Sequence, residues 1–360
     1  MDISRQLHIG TQRIDDDSPC YVIAEIGHNH QGDLETCKEM FRAAKSAGVD
    51  AVKLQKRDNR SLFTREAFDK PYDNPNSYGR TYGEHREFLE FGWHEYVELK
   101  VCAEDLGLHF FSTAFDIASA DFLARLEVPA FKIASADLKS IPLLRHVARL
   151  GKPLLVSTGG ATMDDVRRAY DAIMPINPQL CIMQCTAGYP PAWNELNLRV
   201  ISTFRSAFPD AVIGFSSHDS GIAMAVAGYM LGARVIEKHF TLNRANKGTD
   251  HAFSLEPVGM TKMVRDLRRL ELALGDGTKT VLPSEQAPIA KMGKSLVAAR
   301  DLCAGHVLRK EDVCMKSPGG GLPPYEIDRL VGCVLLRGVE QDHAFLLADV
   351  TEARMKGKAA

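Results

Sequence analysis

Eight short apolar runs, each ending in polar or charged residues, constrain the fold of this chain more than any other feature. They are rich in Val, Ile and Phe, and helical patterns separate most of them. Runs of this kind that alternate with helices are typical of parallel strands buried on both faces. The predicted strands are YVIAEIG from Tyr21, AVKLQK from Ala51, HFFSTA from His109, AFKIAS from Ala130, LLVSTG from Leu154, LCIMQCT from Leu180, VIGFSS from Val212 and VIEKHF from Val235.

Eight such strands predict a closed (β/α)8 TIM barrel, an α/β fold whose chemistry lies at the carboxyl ends of the strands. In this chain those ends carry carboxylates, lysines, histidines and hydroxyl groups, so the pattern favours an enzyme. The polar strand-end residues are Glu25, Lys53, Gln55, Thr113, Lys132, Ser135, Ser157, Thr186, Ser216, His218, Glu237 and His239.

The pattern changes after the last barrel helix, and the predicted domain boundaries follow that change. We assign residues 1–275 to the catalytic barrel and residues 276–292 to a polar linker with Gly and Pro. Short predicted strands and frequent turns in residues 293–352 indicate a small β-rich module, and residues 353–360 are predicted to be a disordered tail. Within the barrel, residues 58–91 are rich in Asn, Asp, Pro and Gly, which predicts an extended surface loop.

Composition excludes several classes of protein. The formal charge of −2 argues against a general nucleic-acid binder, although a barrel can still concentrate positive charge around an anionic substrate. No apolar stretch approaches the roughly 20 residues that span a bilayer, so we expect no membrane partner. The N-terminus lacks the apolar core of a secretory signal, and the eight cysteines are scattered. Free thiols in the cytoplasm are the expectation.

His218 and His239 form the sharpest candidate metal site. They follow the seventh and eighth predicted strands, which are neighbours in a barrel, so their imidazoles should face each other at its mouth. Two imidazoles can hold a divalent metal and leave positions open for water and substrate. Glu237 shares the eighth strand with His239, and the period of two points both side chains inward.

Lys53 and Lys132 indicate an anion site. A lysine within an apolar strand is costly unless it is paired or binds an anion. An ion pair with Glu25 or Glu237 is one explanation, and a bound phosphate or carboxylate is the other, which two such lysines favour. Ser135 and Ser157, with the Gly-Gly that follows Thr158, supply hydroxyl groups and backbone amides of the kind that bind phosphate oxygens.

Glu25 ends the first strand, where a buried carboxylate near a metal is a candidate proton donor or acceptor. His28 and His30 form an H-x-H motif after it, a signature of metal-dependent amidohydrolases, but no histidine ends the fifth or sixth strand. Tyr189 and Asp250 lie in loops after the sixth and eighth strands. Both can hydrogen-bond a polyhydroxylated substrate, and either can also be an ordinary loop residue.

Several longer motifs resemble the sialic acid synthase family. In the barrel they are AEIGHNHQGD, AGVDAVKLQK, FKIASADL, QCTAGYP, GFSSHDSGI and EKHFTLNRANKGTDHAFSLEP. GKSLVAARDLCAGHVLRKEDV resembles the antifreeze-like module (SAF domain) of that family. The resemblance implies a TIM barrel followed by a small β-rich SAF domain.

The resemblance also implies an activity: condensation of phosphoenolpyruvate with N-acetylmannosamine, its 6-phosphate or a related mannose-type sugar. The product is then a sialic acid or its 9-phosphate, and phosphate leaves through C–O cleavage. His218 and His239 would ligate Mn²⁺ or Mg²⁺ in a domain-swapped homodimer. By the same resemblance, phosphoenolpyruvate is bound by Lys53, Thr113, Lys132, Ser135, Ser157 and Ser216, and the sugar or reacting centre is contacted by Glu25, Gln55, Tyr189 and Asp250, with Glu237 near the metal.

The chain departs from the bacterial pattern of the family at Ser217, Ala187 and Ser317. Many bacterial members have Asp, Asn and Arg at the matching positions, and that arginine reaches the acyl group of the sugar. The SYGRTYGEHREFLEF segment looks closest to the animal branch, which acts on the 6-phosphate of N-acetylmannosamine. We therefore expect a phosphorylated acceptor whose charge is met by the Arg80–Arg86 loop.

Two further functions stay open from the sequence. A related barrel synthase that makes a seven- or eight-carbon keto-acid sugar phosphate would lack the C-terminal module. An ice- or carbohydrate-binding protein would need a flat, uncharged face on that module. The charged residues Arg300, Asp301, Arg309, Lys310, Glu311 and Asp312 argue against such a face.

Overall fold

The structure is a computed structural model that describes residues 5–351. The predicted tail at residues 353–360 lies outside the described residues. The chain divides into two compact units at Gly275. No helix within residues 5–351 combines the length and apolar character that crossing a bilayer requires.

The strands of the first unit comprise an N-terminal hairpin and a barrel. They are β1 (Gln6–Ile9), β2 (Gln12–Asp15), β3 (Tyr21–Gly27), β4 (Ala51–Lys56), β5 (His109–Ala114), β6 (Phe131–Ile133), β7 (Leu154–Ser157), β8 (Leu180–Cys185), β9 (Val212–Ser217) and β10 (Val235–His239). The second unit adds β11 (Ser295–Ala298), β12 (Val313–Lys316), β13 (Val334–Leu335) and β14 (Val350–Thr351).

The helices of the first unit surround the barrel strands in sequence. They are α1 (Leu34–Ala47), α2 (Asn59–Leu62), α3 (Arg65–Asp69), α4 (Tyr82–Phe88), α5 (Trp93–Asp105), α6 (Ile117–Arg125), α7 (Ile141–Arg149), α8 (Met163–Ile173), α9 (Val200–Ala207), α10 (Ala223–Met230) and α11 (Pro257–Leu274). The second unit contains α12 (Gln286–Met292) and α13 (Ile327–Leu330).

The eight predicted strands form the closed parallel barrel, so the predicted fold is confirmed. Strands β3 to β10 pair in sequence order, and β10 closes the ring against β3. Every position of β3, β9 and β10 is buried, as expected for strands covered on both faces. The pairing of β10 with β3 sets His239 beside Glu25, and the pairing of β3 with β4 sets Glu25 beside Lys53.

Helix α1 begins and ends at residues whose types favour a helix start and a helix end. Its first turn is capped by Asp33, whose carboxylate accepts a hydrogen bond from the backbone N–H of Thr36 at 2.7 Å. It ends at Gly48, whose φ of 86° lies in the left-handed region that glycine tolerates. The apolar face formed by Cys37, Met40 and other residues is buried against the barrel.

The prediction of an extended loop over residues 58–91 was wrong in part. The segment folds into α2, α3 and α4, each with an N-terminal side-chain cap, provided by Asp58, Thr64 and Thr81. Thr81 and Glu84 form a capping box, and that Thr-x-x-Glu signal stands in the sequence. Capping makes these short helices possible although turn-forming residues separate them.

The hairpin of β1 and β2 was not predicted, and it covers the amino-terminal end of the barrel. Leu7, Ile9 and Ile14 are buried there. The turn requires Gly10, which has a φ of 58°, and a Cβ at this position would lie 2.7 Å from the His109 ring. This end is therefore sealed, and the carboxyl end is left for the site.

The second unit is built on a duplicated ion-pair motif, Arg-x5-His-x5-Asp. Asp312 accepts hydrogen bonds from Arg300 and His306, and Asp349 accepts the equivalent bonds from Arg337 and His343. Strand pairs β11–β12 and β13–β14 flank the two copies.

The predicted linker at residues 276–292 contains the short helix α12. All eight cysteines are free thiols.

Candidate active site

A cavity of about 690 Å³ opens at the carboxyl ends of the barrel strands. Five basic and three acidic side chains line it, which concentrates positive charge in a chain whose formal charge is −2. The structure brings all the sequence-predicted site residues into this lining: Glu25, Lys53, Gln55, Thr113, Lys132, Ser135, Ser157, Tyr189, Ser216, His218, Glu237, His239 and Asp250.

The deepest part of the cavity is a cluster of two lysines and two glutamates, which we call the lysine cluster. Lys53 Nζ lies 2.5 Å from Glu25 Oε2 and 3.6 Å from Glu237 Oε1, and it donates a hydrogen bond to Thr113 Oγ1 at 2.8 Å. Lys132 Nζ lies 3.5 Å from Glu237 Oε1 and donates to Ser157 Oγ at 2.6 Å. The ion pairs that the sequence left as one explanation are thus present, and the same ammonium groups face the cavity.

The two glutamates of this cluster differ in their protonation. Burial raises the pKa of Glu25 to about 7, although Lys53 opposes the shift. Burial alone would also raise the pKa of Glu237, but Lys132 and Lys53 outweigh it and hold that pKa at about 2. Glu237 therefore stays ionised, while Glu25 can exchange a proton near neutral pH. A pair of carboxylates separated in this way is suited to acid–base chemistry.

The two histidines lie together at one side of the cavity, with ring centroids 5.2 Å apart. His218 Nδ1 lies 3.0 Å from the carbonyl oxygen of Thr186, which leaves its Nε2 available. His239 Nδ1 is buried, has no hydrogen-bond partner within residues 5–351, and lies 3.9 Å from Asp250 Oδ2. Burial lowers the pKa of His239 to about 4, so its ring is neutral and able to ligate a metal.

A divalent cation fits these donors if water or substrate completes its coordination. No three His, Cys, Asp or Glu side chains of the described residues converge as a ready-made metal cluster. Two imidazoles with an acidic residue nearby are an open arrangement, which suits a catalytic site better than a structural one. The unpartnered Nδ1 of His239 is the observation that supports the fit.

Small and hydroxyl-bearing residues form the wall next to Lys132. Ser135 Oγ accepts a hydrogen bond from the backbone N–H of Gly159 at 2.9 Å. A Cβ on Gly159 would lie 2.9 Å from both Ser135 Oγ and Ala187 Cβ, so glycine is required for this close approach. Tyr189 packs against His218, with ring centroids 4.3 Å apart and an angle of 38° between the ring planes.

Sequence reasoning missed Arg57 as a lining residue and did not single out Arg86 within its loop. The signal for Arg57 was available, because it continues the period-two series of Lys53 and Gln55 along β4. Arg86 comes from α4, and no local pattern in the sequence places that helix at the cavity. Other lining residues not predicted are Phe115, Ala134, Ala136, Lys139, Cys185, Ala187 and Thr249, whereas the predicted Gly159 and Gly160 do line the cavity.

The H-x-H motif does not form a metal site. His30 stacks on Phe91, with ring centroids 4.2 Å apart, and its Nδ1 accepts a hydrogen bond from the backbone N–H of Gly32. His28 lies between Arg57 and Arg86 instead. The structure therefore gives no support to an amidohydrolase.

Fold and site together define a (β/α)8 barrel enzyme that acts on anionic substrates and carries a C-terminal β-rich domain. Residues 40–279 match the model of the NeuB family, and residues 293–351 match the SAF domain. The chain belongs to the NeuB family and is a transferase of the sialic acid synthase type.

Named relatives agree with this assignment. The human N-acetylneuraminate-9-phosphate synthase is 43% identical over 91% of this chain and 92% of its own. The Campylobacter jejuni N,N'-diacetyllegionaminic acid synthase is 32% identical over 89% of this chain and 97% of its own.

Solved structures show the same architecture. The N-acetylneuraminic acid synthetase of Leptospira borgpetersenii superposes with a TM-score of 0.69 at 29% identity, over 79% of this chain and 95% of its own. The spore coat polysaccharide biosynthesis protein spsE of Bacillus subtilis gives 0.65 at 30% identity, over 97% and 99%.

Replacing Glu25 with Gln should flatten the pH dependence of barrel stability. The pKa of Glu25 is raised to about 7 from an ordinary value of about 4.3. Glu25 therefore contributes to the free energy of unfolding at acid pH, and this contribution is lost as the pH rises from about 4.3 through about 7. Over this pH range Glu25→Gln should gain stability relative to wild type. Urea unfolding, followed by the fluorescence of Trp93 and Trp193, measures the difference.

Glu237→Gln is the matched control, because Glu237 stays ionised across the same interval. The stability of Glu237→Gln to urea should still fall as the pH rises through neutrality, because Glu25 is unchanged in this variant. If Glu25→Gln keeps the full wild-type slope, the raised pKa of Glu25 is refuted.

Proposed function

We propose that this enzyme condenses phosphoenolpyruvate with N-acetylmannosamine 6-phosphate to form N-acetylneuraminate 9-phosphate and inorganic phosphate. The convergence of two buried lysines, two glutamates and two histidines in one barrel cavity carries this proposal. Its acceptor is chosen because relatives from human, mouse and Drosophila, named N-acetylneuraminate-9-phosphate synthases, are 43%, 42% and 38% identical to this chain.

Phosphoenolpyruvate carries a phosphate and a carboxylate, and the lysine cluster offers the charge to bind both. Lys53 and Lys132 each hydrogen-bond a hydroxyl group, so their ammonium groups are held in place before a ligand arrives. Such preorganisation lowers the entropic cost of binding. The hydroxyl groups assigned to the same substrate belong to Thr113, Ser135, Ser157 and Ser216.

His218 and His239 would hold Mn²⁺ or Mg²⁺. When bound, the ion supplies a Lewis acid beside the aldehyde of the acceptor sugar. Asp250, 3.9 Å from His239, can orient that ring or contact the sugar. Glu237 adds a fixed negative charge close to both histidines, which favours a bound cation.

The reaction joins C3 of phosphoenolpyruvate to the aldehyde carbon of the sugar, and the aldehyde oxygen takes up a proton. Water then adds at C2, and the bond between C2 and the phosphate oxygen breaks to leave a keto group. Glu25, whose pKa is about 7, can orient this water and accept its proton. Gln55 Nε2 donates a hydrogen bond to Glu25 Oε1 at 2.8 Å and so fixes the orientation of the carboxyl group. Tyr189, at the cavity rim, is assigned to the sugar.

We also propose a cytoplasmic, domain-swapped homodimer. Free thiols such as the exposed Cys303 suit a reducing compartment. Sedimentation of the purified protein should give the mass of two chains, and a monomer at working concentration would refute the dimer.

A substrate screen with phosphate release as the readout tests the function. Wild type should turn over N-acetylmannosamine 6-phosphate faster than the unphosphorylated sugar, and failure with every mannose-type acceptor would refute the proposal.

Lys132→Met should raise the KM for phosphoenolpyruvate by roughly 10- to 100-fold, because a charge-assisted contact to an anion is lost. Lys139→Met is the matched control, since Lys139 lines the same cavity but pairs with Asp165 and is more than half exposed.

Metal binding can be measured apart from turnover. His218→Ala should weaken Mn²⁺ binding, followed by electron paramagnetic resonance of the free ion, by at least about tenfold. His94→Ala, on the exposed surface of α5, should bind as wild type does. If His218→Ala binds Mn²⁺ with wild-type affinity, or stays fully active after chelation, the metal assignment is refuted.

A further inference from the structure

A second cationic group lies in the active-site cavity, apart from the lysine cluster. It consists of Arg57, His28 and Arg86, which we call the arginine cluster. Arg57 Nη1 lies 3.1 Å from His28 Nε2, and Arg86 Nη1 lies 3.2 Å from His28 Nδ1. The two guanidinium groups therefore flank one imidazole, and both line the cavity.

The hydrogen bonds of the arginine cluster cannot all be satisfied within it. A neutral imidazole has one nitrogen that accepts and one that donates, while a guanidinium only donates. Burial lowers the pKa of His28 well below its usual value, and the adjacent arginines lower it further, so the ring is neutral. Only one of the two arginines can therefore donate to His28, and the other presents an N–H group without an acceptor there.

The cluster also has excess charge. Within residues 5–351, no carboxylate oxygen lies within 4.0 Å of a guanidinium nitrogen of Arg57 or Arg86. Arg57 is buried over the ring of Phe115, 3.6 Å from its centroid. Lys139, the remaining basic lining residue, is by contrast paired with Asp165. A buried cation without a counterion is costly, which indicates that an anion binds beside it.

The position of the cluster relates it to the reacting centre. Alternate residues along β4 and just beyond it are Lys53, Gln55 and Arg57, so Arg57 lies about 13 Å further along the strand direction than Lys53. Gln55 connects the two clusters, because its Nε2 donates to Glu25 and its Oε1 accepts from Arg57 Nη2 at 2.7 Å. The lysine cluster and the arginine cluster are thus two anion sites at opposite ends of one hydrogen-bonded line.

We propose that Arg57 and Arg86 bind the terminal phosphate of the acceptor sugar and select phosphorylated acceptors. This assignment rests on the proposed function, in which the sugar carbonyl reacts beside Glu25. A phosphate at the far end of the sugar chain would supply several acceptor oxygens to the two guanidinium groups. Planar guanidinium groups suit this role because they bind phosphate in a bidentate manner. His28 is a positioning residue that holds the two arginines apart.

The test compares kcat/KM for N-acetylmannosamine 6-phosphate with kcat/KM for N-acetylmannosamine. In Arg86→Met the ratio of the two values should fall roughly 10- to 100-fold, through the KM for the phosphorylated sugar. Arg86→Lys keeps the charge without the planar fork and should fall between this variant and wild type. Arg86 is the primary target because its side chain is less buried than that of Arg57, and thermal unfolding checks that each variant is folded.

Arg80→Met is the matched control, because Arg80 is exposed in the same segment and does not line the cavity. Its ratio should equal that of wild type. An unchanged ratio in Arg86→Met, or a raised KM for phosphoenolpyruvate in place of the sugar phosphate, would overturn the assignment while the synthase activity stands. A wild-type enzyme that condenses neither sugar would instead refute the proposed function, and with it this assignment.

Discussion

The structure of this site depends on a buried cluster of opposite charges. Lys53, Lys132, Glu25 and Glu237 are almost completely removed from water, and each ammonium group is within 4.0 Å of a carboxylate. Removing one member of such a cluster leaves an uncompensated buried charge, at a cost of about 3 to 5 kcal/mol. Barrel closure makes the arrangement possible, since Glu237 on β10 reaches Lys53 on β4 only because β10 pairs with β3.

The cavity is organised along the direction of the strands. The lysine cluster forms the floor of the cavity, the two histidines lie at one side, and the arginine cluster lies nearer the mouth. An elongated substrate with a reactive carbonyl at one end and an anion at the other matches this order. The net positive lining, in a chain of slightly negative charge, concentrates the electrostatic attraction for anionic substrates where the reaction occurs.

Much of the fold could be predicted because its signals are local. The apolar runs predicted strands close to the observed bounds, and α1 ends at Gly48, a residue type that commonly ends helices. The β1–β2 hairpin was missed because its strands are four residues long, too short for a clear period. The α2–α4 segment was read from its turn-forming residues, although the capping box at Thr81 was visible in the sequence. Its caps outweighed the low helix propensity of its neighbours.

The sequence by itself determined which residues end the strands, and therefore which side chains meet at the barrel mouth. The reason is geometric, because parallel strands carry every carboxyl end to the same rim. Tertiary structure alone decided the properties of those groups. It gave Glu25 and Glu237 opposite pKa shifts, because both lysines lie near Glu237 whereas Glu25 is paired with Lys53 alone and also feels the negative charge of Glu237. It also placed Arg86 of α4 against the His28 ring that Arg57 contacts. Such effects depend on through-space distance and burial, which no local pattern of residues encodes.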